Sequence, residues 1–300
     1  MASVSAWLIT FRLRTLPLAL STVILGSLLA AFHYRFNRSV FIWAILTTLF
    51  LQILSNLAND YGDAVHGVDN QGRTGPKRSL QAGLITLRQM QIMIIVFILL
   101  SLISGIFLII EGTQNMQLSY GLFFFVLGIA AIIAALKYTM GKNPYGYAGL
   151  GDIAVFIFFG LVGVVGTYYL HTHQLTIAEL LPAVSIGCFS TGVLNLNNMR
   201  DRQNDAISGK HTLVVKIGIR KARIYHAVLL ITGMITATGY SIQSGASVWQ
   251  WIYVISFAGM IRSIIVVFNS KDASALDPEL KYLALSTLLF AVLFGVGLIL

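Results

Sequence analysis

The chain has 300 residues, of which 57% are hydrophobic and only 10% charged, against roughly 25% charged in soluble globular proteins. With a mean hydropathy of +0.81 it lacks the charge to coat a water-facing surface, which excludes a pair of soluble domains and leaves lipid as its main solvent. A net charge of +9 would suit nucleic acid, but the basic residues fall between long apolar runs, the pattern of a membrane topology signal, so no nucleic-acid partner is expected.

A helix that crosses hydrocarbon about 30 Å thick needs about 20 apolar residues. Such runs lie near 15–33, 39–58, 89–110, 117–136, 152–171, 178–197, 223–241, 248–268 and 282–300. The stretch between Arg223 and Arg262 is too long for one helix, and Ser241–Gly245 divides it. The expectation is an all-α polytopic membrane protein of nine transmembrane helices, forming one domain over residues 1–300. The first run has no convincing cleavage site for a signal peptide. The one cysteine, Cys188, lies inside an apolar run and excludes a disulfide or cysteine-metal framework.

Counting the connections alternately places eighteen of the twenty Lys and Arg residues on one face, Arg73 among them, and leaves only Arg35 and Arg38 on the other. The positive-inside rule puts the N-terminus and the basic loops in the cytoplasm. Nine of the eleven acidic residues share that face, with Glu111 and Glu179 the exceptions.

Two acidic clusters stand out. Asn56, Asn59, Asp60 and Asp63 end the second run; Asn197, Asp201 and Asp205 end the sixth. Each contains Asn-x-x-x-Asp with a further acid three or four residues on, and those offsets share one helix face. Lys77-Arg78-Ser79-Leu80 follows the first cluster and Lys210-His211-Thr212-Leu213 the second. This reads as an internal repeat over about 10–140 and 150–270: two related four-helix halves around a central cavity, plus a ninth helix. One such cluster is as well explained by helix capping; two in matching positions at a membrane face point to function.

Carboxylate and amide oxygens without His or Cys partners favour hard cations, Mg²⁺ in particular, which commonly binds one or two carboxylates together with substrate phosphates. Lys77, Arg78 and Lys210 would neutralise the remaining phosphate charge. A diphosphate head with an apolar chamber behind it suggests a polyprenyl diphosphate.

The two acidic segments resemble those of the intramembrane aromatic prenyltransferases, the UbiA superfamily. Tyr138–Asp152, Val155–Gly160, Gly166–Tyr169, Gly209–Val215 and Phe11–Pro17 look like the 1,4-dihydroxy-2-naphthoate polyprenyltransferases of menaquinone synthesis. The first cluster departs from many relatives in carrying Gly67 where they have a third aspartate, with Asp69 two residues later. The resemblance implies Mg²⁺-dependent transfer of an all-trans polyprenyl group to 1,4-dihydroxy-2-naphthoate in a bacterial inner membrane, with loss of diphosphate and CO₂ and formation of demethylmenaquinol. Asn56, Asp60, Asp63 and Asn59 would then hold one Mg²⁺, and Asn197, Asp201 and Asp205 a second. Lys77, Arg78, Lys142 and Lys210 are candidates for the diphosphate, Arg12 and Arg14 for the aromatic acid, and the Tyr138 ring for the allylic cation. Asp152 either serves the acceptor hydroxyl or caps its helix. Phe123–Phe125 and Phe156–Phe159 either line a prenyl tunnel or face lipid, and Tyr168 and Tyr169 belong to an outer aromatic belt. His66, His171, His173 and His211 form no ligand set. The rival readings are a prenyltransferase for another acceptor, such as 4-hydroxybenzoate, and a cation-coupled secondary transporter.

Overall fold

Once water is gone, each backbone amide in an apolar run must find its partner within the chain, so these runs fold as helices. A computed structural model describes residues 3–69, 77–114, 116–245 and 247–300; Arg73, counted above on the basic face, lies outside them. Among the described residues the protein is all-α: α1 (Val4–Phe11), α2 (Leu16–Phe32), α3 (Arg38–Val65), α4 (Leu87–Gly112), α5 (Leu118–Lys137), α6 (Gly151–Val155), α7 (Thr167–Thr172), α8 (Leu180–Ile207), α9 (Leu213–Ser244), α10 (Val254–Asn269) and α11 (Asp277–Ile299). Eight helical stretches are long and apolar enough to cross a membrane, with Val4–Phe32 and Gly151–Thr172 each one stretch. The ninth long helix, α9, carries Arg220, Lys221 and Arg223 early and is kinked at Gly218, where φ is 76°.

The ends are set by local chemistry. Asn37 accepts the Ser39 and Val40 amides to start α3, and Thr86 with Gln89 forms a capping box for α4. Gly245, left-handed at φ 59°, ends α9 inside the segment expected to divide two spans.

Polarity is distributed as lipid requires. Phe123 and Ile235 are 61% and 64% exposed, whereas Asn56, Asp60, Asp63, Arg200 and Asp205 are buried. α3 packs along α4 and α8 along α9, and α11 lies against α2, α8 and α10, so the last helix joins the start of the chain to its second half. The main apolar core, containing Leu25, Tyr168, Phe189, Phe290 and Phe294, sits where these helices meet.

Three features differ from expectation. First, α3 and α8 run seven and ten residues past the apolar runs, to Val65 and Ile207, which carries both acid clusters on the last turns of the helices, as their shared-face spacing requires. Second, residues Phe156–Gly166 between α6 and α7 are π-helical, where the chain packs unusually close to its neighbours: a β-carbon at Gly160 would lie 2.8 Å from the Ala183 carbonyl oxygen, and one at Gly163 2.7 Å from Thr22 Cβ. Third, Tyr168 is 1% exposed and part of the core, not of an aromatic belt.

Candidate active site

The acid-bearing ends of α3 and α8 open into one cavity of about 390 Å³, within the range of small-molecule sites. Asn56, Asn59, Asp63, Asn197, Asp201 and Asp205 line it, with Arg12, Arg14, Arg78 and Lys210. Behind this polar mouth the wall is apolar and includes Leu108, Phe124, Leu127, Phe158, Phe159 and Leu170. Phe124, Phe158 and Phe159 thus face the cavity, while Phe123 and Phe125 are 61% and 41% exposed on the outer surface. Both Ala44 and Asp63 of α3 line the cavity; at 1.5 Å per residue they are about 28 Å apart, so the cavity extends through most of a bilayer's hydrocarbon thickness.

The convergence has specific causes. Thr139 donates to the Ala58 carbonyl at 2.9 Å and so fastens the end of α5 to α3. Gly62 makes this approach possible, because a β-carbon there would lie 2.5 Å from the Thr139 carbonyl oxygen. From α8, Asn204 donates to the Val68 carbonyl at 2.9 Å, and the His211 amide donates to the Tyr147 carbonyl at 3.0 Å. The first and second acid clusters are therefore cross-tied through the segments that follow them.

Each carboxylate is matched with a cation. Asp60 pairs with Arg12, and also with Arg78 Nε at 3.3 Å. Asp63 accepts from Arg78 at 2.8 Å and from the Tyr147 hydroxyl at 2.6 Å, with Lys210 at 3.6 Å. Lys210 also reaches Asp205 at 4.0 Å, bridging the two clusters. Asp69, unassigned by the sequence, accepts from Arg78 at 3.0 Å. Arg200 grips Asp201 through two bonds of 2.9 and 2.6 Å and donates to Asn197 at 2.9 Å. Burial alone would lower the pKa of Arg78, but Asp60, Asp63 and Asp69 outweigh it and hold the guanidinium above its usual range. Burial, reinforced by Asp63, pushes the Tyr147 phenol well above its ordinary value and keeps it a donor.

Arg12 adopts a left-handed conformation at φ 50° between α1 and α2. Such a conformation is unfavourable for a residue with a β-carbon and persists where surroundings enforce it; here Arg12 closes α1, its amide donating to the Ile9 carbonyl at 3.2 Å while its side chain pairs with Asp60.

The expected residues are not all at the mouth. Asp60 is 1% exposed and does not line the cavity; Arg12 and Arg78, which do, both hold it. Asn56 donates to the Phe11 carbonyl at 2.9 Å and to Thr15 at 3.0 Å, which secures the α1–α2 junction. Arg14 lines the cavity and meets Asp277 at 3.4 Å. Tyr138 lines it too, its ring edge-on to Tyr145 at 5.4 Å. Lys77 and Lys142 are exposed and off the cavity. Asp152 is buried away from it, hydrogen-bonded to Tyr225, and does not cap its helix. Sequence reasoning missed Tyr147, Arg200 and Asp277, whose roles depend on partners distant in the chain.

The donor set suits a hard cation completed by a ligand of its own. Among the described residues no three His, Cys, Asp or Glu side chains are grouped to hold a metal unaided. The oxygens facing the cavity are carboxylates and amides, and Asn59 Oδ1 is buried with no hydrogen-bond donor among the described residues. That chemistry fits Mg²⁺, which takes few protein carboxylates and shares phosphate oxygens.

The profile of the UbiA prenyltransferase family matches residues 19–288. The 1,4-dihydroxy-2-naphthoate octaprenyltransferases of Haemophilus influenzae and Escherichia coli are 42% and 41% identical to this chain, each over 98% of it and 95% of their own length. A UbiA homologue from Aeropyrum pernix superposes with a TM-score of 0.71 at 15% identity, covering 95% of this chain and 97% of its own. A UbiA homologue from Archaeoglobus fulgidus, solved with DMAPP and Mg²⁺, does so at 0.63 and 17% identity over 98% of each chain.

Proposed function

The chain belongs to the UbiA prenyltransferase family, and we propose that it transfers a polyprenyl group from its diphosphate to 1,4-dihydroxy-2-naphthoate in menaquinone biosynthesis. The observation that carries this reading is Lys210, which stands 3.6 Å from Asp63 and 4.0 Å from Asp205 at the polar mouth of a deep apolar cavity. Two helix ends thereby present oxygen donors and cations to a single anionic ligand. The relatives named above are octaprenyltransferases for the same acceptor, and a family member binds DMAPP with Mg²⁺.

In this reading the diphosphate lies at the mouth and the prenyl chain runs down the apolar wall. Asp63, Asn59, Asp201, Asp205 and Asn197 would hold Mg²⁺, with Asp60 supporting the first cluster from behind and Asn56 tying it to the α1–α2 junction. Bound there, Mg²⁺ supplies Lewis-acid stabilisation of the charge that gathers on the leaving group. Arg78 and Lys210 are placed to stabilise the same charge as the prenyl C1–O bond breaks and its electron pair goes to the diphosphate. The apolar wall keeps water from the allylic cation, and the face of Tyr138 offers about 0.5–2 kcal/mol of cation–π stabilisation. The electron-rich ring carbon bearing the carboxyl group attacks C1. Departure of CO₂ returns its electron pair to the ring and gives demethylmenaquinol.

The protein is a multi-pass membrane protein, and the basic face argues that the mouth opens to the cytoplasm of a bacterial inner membrane. A single domain of two related halves accounts for the paired clusters. A site at one end of the bundle argues against a transporter, whose substrate sites favour the midplane. The test incubates membranes with radiolabelled polyprenyl diphosphate, 1,4-dihydroxy-2-naphthoate and Mg²⁺. Prenylated naphthol should form, vanish with chelator, and fall sharply in Asp63→Ala and Asp60→Ala. No product from the wild type, or product only with 4-hydroxybenzoate, defeats the assignment.

A further inference from the structure

Among the described residues Arg200 is the largest fully buried side chain, and it stands beside the second acid cluster without lining the cavity. Its fork takes both carboxylate oxygens of Asp201 and the amide oxygen of Asn197. Both of those residues line the cavity. A divalent cation reaching the cluster would compete with Arg200 for the same oxygens. The remaining contact of this guanidinium is with Asp277, which comes from a different helix, the first residue of α11. Asp277 in turn faces Arg14 at 3.4 Å, and its side chain is 30% exposed against 9% for Asp201.

We propose that Asp277 is a positioning residue for the metal-binding end of α8: it receives the charge of Arg200 and thereby lets Asp201 and Asn197 turn to a divalent cation. This rests on the metal–diphosphate reading above. Removing an ion pair's partner leaves a buried charge alone, which is strongly unfavourable. With Asp277 present, Arg200 keeps a carboxylate when Asp201 leaves it. With Asp277 neutralised, Asp201 is the only carboxylate among the described residues that pairs with Arg200, and the metal must break that pair outright. The last helix, whose Leu280 and Ala284 reach the cavity wall, thus sets the metal affinity of a site to which it brings no metal ligand.

The experiment measures Mn²⁺ binding by electron paramagnetic resonance on the purified full-length chain in nanodiscs, with inorganic pyrophosphate as the probe. Wild type is expected to bind Mn²⁺ with pyrophosphate. Asp277→Asn should weaken that binding roughly 10–100-fold, the usual effect of removing a group that orients a metal ligand, and Asp277→Glu should restore most of it. In the transferase assay the half-saturating Mg²⁺ concentration should rise in Asp277→Asn while kcat at saturating Mg²⁺ is retained. Equal Mn²⁺ affinity in Asp277→Asn and wild type, or a fall in kcat with unchanged Mg²⁺ half-saturation, overturns the proposal. Arg200→Lys provides a second arm that does not depend on the stability of Asp277→Asn. One ammonium cannot grip both Asp201 oxygens, so Mn²⁺ should bind more tightly than in wild type; weaker or unchanged binding counts against the idea. If wild type itself binds no Mn²⁺ with pyrophosphate, the metal–diphosphate reading fails and takes this inference with it.

Discussion

Replacing Arg78 with methionine removes one guanidinium from three carboxylates at once. Its nitrogens lie 3.3 Å from Asp60, 2.8 Å from Asp63 and 3.0 Å from Asp69, and its side chain is 10% exposed. Breaking a buried pair by removing one partner costs about 3–5 kcal/mol, a large part of a typical total of about 5–15 kcal/mol. Arg12 and Lys210 remain to neutralise Asp60 and Asp63, so the lower end of that range applies. At about 2–4 °C per kcal/mol for domains of 150–250 residues, the melting temperature should fall on the order of 10 °C. A cation able to replace the guanidinium should return part of this. A ligand at a hundred times its Kd adds about 2.7 kcal/mol, and the exposed carboxylates make the gain larger in the variant than in wild type. The assay is thermal unfolding in detergent with EDTA and with Mg²⁺ plus pyrophosphate. An equal drop under both conditions would refute the reasoning, since it would mean that Arg78 packs a loop and does not compensate the acidic cluster.

Gly62→Ala places a β-carbon 2.5 Å from the Thr139 carbonyl oxygen, a backbone atom with little room to give. Overpacking of that kind costs about 1–3 kcal/mol, and it should displace the turn bearing Asp60 and Asp63, seen as a lower melting temperature together with a raised KM for prenyl diphosphate. Tyr138→Leu should lower kcat about 2–30-fold, the equivalent of about 0.5–2 kcal/mol of lost cation stabilisation, while Tyr138→Phe stays near wild type in the same assay. Burial pushes the Tyr145 phenol from 10 up to about 12. The fold favours its neutral form, so this contribution is complete below pH 10 and is lost as pH rises towards 12. Tyr145→Phe should flatten the decline of melting temperature across that interval.

Hydropathy made the spans legible because lipid imposes a single simple rule on every residue of a crossing helix. The acid clusters were legible for a related reason: Asn56, Asp60 and Asp63, like Asn197, Asp201 and Asp205, are spaced for one helix face, and polarity there conflicts with the surrounding run. What compensates them was not legible. Arg12 and Asp60 are 48 positions apart, Arg200 and Asp277 are 77 apart, and Tyr147 is 84 positions from Asp63; no periodicity carries such information. Arg12 was read as a candidate for the aromatic acid, and its left-handed backbone shows only in three dimensions. Lys77 and Lys142 illustrate the opposite failure. Proximity in sequence to a functional motif suggested contact, yet each is exposed and turned from a cavity that its neighbours Arg78, Tyr138 and Tyr145 line. Asp152 shows that a buried acid at a helix start is not thereby a cap or a base: its partner is Tyr225 of another helix.

The π-helical stretch has a consequence for how the cavity wall tolerates length changes. Phe158, Phe159, Val162 and Gly163 from within it, and Thr167 and Leu170 beyond it, all face the cavity. Deleting a single residue from Phe156–Gly166 would let ordinary α-helical bonding resume, and everything downstream to Thr172 would rotate by about 100°. Leu170 would swing out of the deep wall, and His171 would lose its hold on Ser27 at 2.9 Å. Substitutions in this stretch trade one side chain for another, whereas a one-residue indel would re-index the whole far half of the chamber.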